Sequence, residues 1–198
     1  MPNSAAPGPL EFYKDRFQIE NNLTRNILRS IPPDKLDYRP HERSPSTGQI
    51  AWTIVRGLYI RVDIASECVS DVIRDPPPGL AEILERFEET SRRHIAQLQS
   101  FPAEQWTRVG QLRVGDRIAL EEPAADIVWL FHFDEIHHRG QISTYLRPMG
   151  AKVPSIRLLG RLSASIKTLQ GGSDAQRYLS EPYCSFVPDA LRGVYLPV

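Results

Sequence analysis

Apolar side chains recur at helical spacing in four proline-free windows of this chain, 10–31, 46–75, 79–101 and 124–147. Proline inside a helix costs about 3 kcal/mol, so long helices are confined to such windows. The first carries Leu10, Tyr13, Phe17, Leu23, Ile27 and Ile31 and stops at Pro32-Pro33. The second opens at Ser44-Pro-Ser-Thr-Gly, a capping sequence, and repeats Ala51, Val55, Leu58, Val62 and Ala65 before Pro76-Pro-Pro-Gly79. In the third, Leu80, Ile83, Leu84, Phe87, Ser91, Ile95 and Leu98 share one face and Glu and Arg residues cover the other. The fourth follows Pro123 and is taken as far as Met149, with Gly150 just past its end. No strand is expected inside any of these helices.

Between the third and fourth helices, Gln111-Leu-Arg-Val and Arg117-Ile-Ala-Leu alternate about Gly115-Asp116, the signature of a small hairpin. After Gly150 the periodicity fades. Residues 155–198 read as an irregular C-terminal extension that packs on the bundle. Four helices with one hairpin insertion predict an all-α fold, a four-helix bundle over residues 1–154.

Charge and composition narrow the partners. Lys and Arg number 24, as do Asp and Glu, and no basic patch is present, so nucleic acid is not expected as a partner. The longest apolar run, near Ile127-Val-Trp-Leu-Phe131, is far short of the roughly 20 residues of a membrane span. The N-terminus, Met-Pro-Asn-Ser-Ala-Ala-Pro-Gly-Pro, has neither the basic start nor the apolar stretch of a secretory signal, so the cytoplasm is the expected location. Cys68 and Cys184 stand outside any metal or dithiol spacing and read as two unconnected thiols.

Candidate chemistry sits on the fourth helix. Ile127, Phe131, Asp134, His138, Ile142 and Tyr145 fall on one stripe, so two polar residues interrupt an apolar face. A buried carboxylate must be paired or bound to a cation. Asp134 and His138, one turn apart, can pair with each other or chelate a metal. His132 points roughly opposite Asp134 and is expected to be wet or partner-facing, while His137 lies one step off the stripe, beside the pair. Glu135 and His138 also spell Glu-x-x-His, but no second copy accompanies it, which argues against a di-iron centre. His41 is expected at the surface of the loop after the first helix, and His94 solvated on the polar side of the third. Phosphate loops, the Gly-x-Ser-x-Gly elbow and His-Glu-x-x-His are absent from the sequence.

His137-His-Arg-Gly-Gln-Ile142, followed by Thr144-Tyr-Leu-Arg-Pro-Met-Gly150 and Val153-Pro154, resembles the DinB-like (DinB/YfiT) four-helix-bundle family. Ile31-Pro-Pro-Asp-Lys-Leu-Asp-Tyr-Arg-Pro-His-Glu-Arg-Ser44 and Gly48-Gln-Ile-Ala51 match its first loop and second-helix start in order and spacing. The resemblance implies a crossover between the second and third helices, a homodimer, and a divalent metal held by three histidines. Some relatives are metal-dependent thiol transferases or hydrolases. Carried over residue by residue, the three ligand positions fall on Thr53, Asp134 and His138, of which only His138 keeps its identity. Asp is a legitimate ligand for Zn, Ni, Mn or Fe, but a Thr hydroxyl is a poor one, so weak or absent metal binding is expected. Two functions follow from the resemblance and its departures. One is a catalytically silent bundle. The other is a transferase or hydrolase using Asp134 and His138, with or without metal, on a small molecule in the bundle cleft.

Overall fold

The computed structural model describes residues 8–154. Four helices run where the prolines allow them: α1 (Pro9–Leu28), α2 (Thr47–Glu67), α3 (Leu80–Gln99) and α4 (Ala124–Leu146). Short 3-10 turns at Pro33–Lys35 and Ala103–Thr107 and three strands, β1 (Val69–Asp71), β2 (Val109–Val114) and β3 (Arg117–Pro123), fill the connections. The start of α2 is set by a capping box, in which Gln49 N–H donates to Ser46 Oγ at 3.2 Å and Ser46 N–H donates to Gln49 Oε1 at 2.7 Å. At its other end Cys68 takes a left-handed conformation (φ 59°) and donates its N–H to Ile64 O, which stops the helix.

Two expectations are corrected at this point. The fold is a helical bundle that also carries a three-stranded sheet, in the order β1-β2-β3, so it is not all-α. One strand, β1, lies inside the window 46–75 that was expected to be purely helical. Val69-Ser-Asp71 has no strand pattern of its own. It is extended because it pairs in parallel with Gln111-Leu-Arg113 of β2, far away in sequence. The hairpin about Gly115 (φ 58°) forms as expected, β2 pairing antiparallel with β3. Its register slips between Leu112 and Arg113, leaving Ala119 of β3 without an opposite residue.

The helices do not simply alternate in direction. Gln97 of α3 donates to Val62 O of α2, and Arg86 of α3 lies over the Trp52 ring near the other end of α2, so α2 and α3 run parallel. Parallel neighbours require the chain to return along the bundle. A 21-residue helix is about 31 Å long, and the twelve residues from Cys68 to Gly79 can span about 40 Å when extended. Strand β1 and Pro76-Pro-Pro78 supply that extended crossover, pinned to α2 by Trp52 Nε1 donating to Asp75 Oδ1 at 3.1 Å. Helix α1 packs against α3 and α4, and α2 packs against the same two.

The core contains Phe17, Trp52, Leu58, Ile64, Phe87 and Ile127, but its centre is polar. Arg61 of α2 is fully buried and hydrogen-bonded to the buried carboxylate of Glu135 on α4. Arg61 also donates to His132 Nδ1 at 3.1 Å and stands 5.3 Å over the Phe17 ring. Thr24 Oγ1 of α1 donates to Glu135 Oε1 at 2.6 Å, and Arg139 donates to Glu20 O. Burial disfavours both charges of the central pair, yet each partner's field overrides it, holding the Glu135 carboxyl below its ordinary pKa and the Arg61 guanidinium above.

Two histidine expectations fall with this core. His132 is buried against Arg61 and the Tyr13 and Trp129 rings rather than wet or partner-facing. His94 is buried rather than solvated, with Nε2 2.9 Å from the Tyr13 hydroxyl and Nδ1 3.2 Å from Gln97 Oε1. Burial, aided by the Arg61 charge, pushes both imidazoles down to about 3, so they are neutral acceptors and donors at physiological pH. Burial likewise pushes the Tyr13 phenol up to about 12. The expected extension 155–198, with Cys184, lies outside the described residues.

Glu135→Leu strands a buried guanidinium and is expected to lose about 3–5 kcal/mol in urea denaturation. The pair Arg61→Met, Glu135→Leu, which removes both charges, is expected to be clearly more stable than that single variant. A single variant as stable as the parent would show that the ion pair does not hold the core.

Candidate functional site

Helix α2 lies antiparallel to α4, Thr47 at the start of α2 meeting Met149 just past the end of α4, and Arg61 further along α2 meeting Glu135 and His132 further back on α4. With α4 rotated so that Glu135 and Arg139 face the core, the residues one position earlier, Asp134 and His138, are turned partly outward. Their side chains are 19% and 14% exposed and lie together, Asp134 Oδ2 3.4 Å from His138 Nε2. On the other side of the ring, His138 Nδ1 is 2.6 Å from Gln141 Oε1. An amide oxygen only accepts, so Nδ1 carries a hydrogen and Nε2 faces the carboxyl. Burial raises Asp134 to about 7, opposed by the His137 charge. Burial also lowers His138, the Arg56 charge adding to the effect. Burial thus favours the neutral form of both groups, so they do not stand as a fixed ion pair.

Thr53 and Arg56 leave α2 one turn apart. Thr53 Oγ1 donates to Gln49 O at 2.9 Å and accepts from Arg56 Nη2 at 3.1 Å. Arg56 Nη1 donates to Ile73 O of the crossover at 2.8 Å. These side chains do not fit a three-ligand divalent metal. The threonine hydroxyl is engaged on both sides, and a guanidinium lies close enough to depress His138. Among the described residues, no group of three or more His, Cys, Asp or Glu is arranged to hold a metal ion.

Of the residues singled out by the sequence, Asp134 and His138 are thus brought together, and Thr53 is tied to Arg56 on α2. His137 is exposed, its ring beside that of His138, and His41 is exposed, accepting from Arg43 N–H. Glu135 and His138 do not share a site: one points to Arg61 in the core and the other to Asp134 and Gln141. Sequence reasoning missed Arg56 and the buried Arg61, gave Arg139 and Gln141 no role of their own, and weighed Glu135 only as half of a Glu-x-x-His motif. A signal for Arg61 existed, because it follows Leu58 by three and precedes Ala65 by four, on the apolar stripe.

A sequence model of the DinB family matches residues 1–170. The uncharacterized protein YrdA of Bacillus subtilis is 24% identical over 152 residues, which is 74% of this chain and 87% of that protein. Among solved structures, a DinB-like protein from Bacillus subtilis superposes with a TM-score of 0.59 at 21% identity, covering 73% of this chain and 96% of its own. YfiT from Bacillus subtilis, a probable metal-dependent hydrolase with an unusual four-helix bundle topology, superposes with a TM-score of 0.50 at 17% identity, covering 77% and 94%. At these identities the structural likeness establishes the fold. No helix among the described residues is long and apolar enough to cross a membrane.

Asp134 supplies a pH test of the site geometry. Its folded pKa of about 7 lies above the ordinary carboxyl value, so its contribution to stability is complete in acid and is lost as pH rises to about 7. Asp134→Asn is therefore expected to gain stability at pH 8 relative to its standing at pH 4, by about 4 kcal/mol at most. An identical difference from the parent at both pH values, in urea titrations, would place Asp134 in solvent instead.

Proposed function

The chain belongs to the DinB family, and we propose that within it this protein is a bundle without a catalytic divalent metal, serving as a binding or scaffold protein. What supports this reading most is the state of Thr53. At the position where the family resemblance places a metal-binding imidazole, its hydroxyl donates to Gln49 O and accepts from Arg56. A carboxylate and one imidazole remain, Asp134 and His138, and two such groups hold a first-row metal weakly.

The second reading is a metal-dependent transferase or hydrolase built on Asp134 and His138. It draws on the 3.4 Å approach of those two side chains and on the likeness to YfiT, a probable metal-dependent hydrolase. Under this reading His138 would hold the metal through Nε2, Asp134 would add a carboxylate oxygen, and Gln141 would orient the ring from Nδ1.

Metal analysis of protein purified without chelator separates the two readings, with zinc and nickel titration by calorimetry beside it. The proposal expects far less than one metal per chain and weak binding. Thr53→His with Asp134→His is expected to bind both metals more tightly than the parent. Stoichiometric, tight zinc in the parent would overturn the proposal in favour of the enzyme, and a folded double variant that still binds nothing would show the ligand positions to be wrongly placed.

A further inference from the structure

The parallel helices α2 and α3 leave a cavity of about 590 Å³ between them, and its lining includes no residue of α4. That volume suits a small molecule. On the α3 side Glu82, Arg86, Glu89 and Arg93 follow one another at helical spacing, so their charges alternate along one stripe of the wall. The first two satisfy each other. Arg86 Nη2 lies 2.6 Å from Glu82 Oε1, and the guanidinium stands 5.7 Å over the Trp52 ring. Glu89 and Arg93 are spaced to pair in the same way, yet neither forms an ion pair with any described residue, and the Arg93 charge reaches Asp63 only through its field. Glu85, one turn before Glu89 and also in the lining, is unpaired as well.

Thr90, beside Glu89 in sequence, lines the same cavity and is only 5% exposed. A helical serine or threonine often donates to the carbonyl one turn back, as Thr53 does to Gln49 O and Ser66 to Val62 O. The Thr90 hydroxyl does not, and it has no hydrogen-bond partner among the described residues. A buried hydroxyl in this state is matched by a polar group in the cavity it lines.

We propose that the cavity between α2 and α3 binds a small zwitterion of dipeptide size, with its ammonium at Glu85 and Glu89, its carboxylate at Arg93 and its amide at the Thr90 hydroxyl. A ligand of one sign would be drawn to half of the stripe and repelled by the other half. A metal ion does not fit, since no three His, Cys, Asp or Glu among the described residues converge on one point. Size favours a dipeptide over a single amino acid. Residues one turn apart stand about 6 Å from each other, and the charged ends of a dipeptide lie outside two Cα atoms about 3.8 Å apart. Tyr59 of α2 forms part of the facing wall. Thr53, Asp134 and His138 take no part in this cavity, so the inference and the metal-free reading stand or fall separately.

The test is an NMR titration of the full chain with alanyl-alanine, beside its N-acetylated and C-amidated forms. The expected result is saturable shifts at the amides of Tyr59, Glu89, Thr90 and Arg93, with binding weakened about fivefold when either terminus is blocked. Glu89→Gln is expected to abolish most of the preference for the free ammonium, and Arg93→Gln the preference for the free carboxylate. Both positions are exposed, and thermal melting checks that each variant is folded. Thr90→Val is expected to weaken all three ligands alike. Shifts that fail to saturate, shifts centred elsewhere, or preferences for both free termini that survive in both charge variants would overturn the proposal.

Discussion

The ion pair between Arg61 and Glu135 is the constraint around which the bundle is arranged. An arginine without solvent contact has to find its partners inside the protein, and each of them comes from a helix other than its own: Glu135 and His132 from α4 and the Phe17 ring from α1. Thr24 and Arg139 extend the same network along α1 and α4. Apolar packing tolerates a helix turned by some tens of degrees, because one aliphatic surface substitutes for another. Charged hydrogen bonds do not, since a small rotation leaves a buried charge unmatched.

That rotation decides what the exterior of α4 presents. Once Glu135 and Arg139 face inward, Asp134 and His138 are carried to the α2 side, part-buried and next to each other. The structural core and the candidate site are thus set by alternate residues of the same two turns. They differ sharply in electrostatics. In the core each charge has an opposite charge within hydrogen-bonding distance, whereas at the site burial favours the neutral forms of Asp134 and His138. The first arrangement gives rigidity and the second gives a place where a proton or a ligand can change the balance.

The crossover shapes the site as well. Because α2 and α3 are parallel, the chain has to travel back along the bundle between them, and it does so beside α2, close enough for Trp52 to bond Asp75 and Arg56 to bond Ile73 O. Arg56 is therefore a strap that ties the crossover to α2 beside Thr53.

The helices were legible because their signals are local. Proline at 9, 32, 45, 76, 102 and 123 limits where helices can run, and period-3.6 stripes show which faces they bury. The hairpin was legible for the same reason, Gly115 being able to take a positive φ between two alternating segments. Asp134 and His138 stood out as an i, i+4 pair, and their proximity needs nothing beyond one helix. Strand β1 was not legible, since three residues become a strand only when β2 is placed beside them. Nor was the burial of His94 and His132, which their own helices leave open and which Tyr13 and Arg61 decide from other helices. The sequence by itself determined where the helices run and start, though not the end of α2, and the pairing of neighbours one turn apart, because those depend on backbone sterics within a few residues. Only the tertiary structure decided which polar side chains meet across helices. Coulomb and hydrogen-bond energies depend on distances in space that no local spacing specifies.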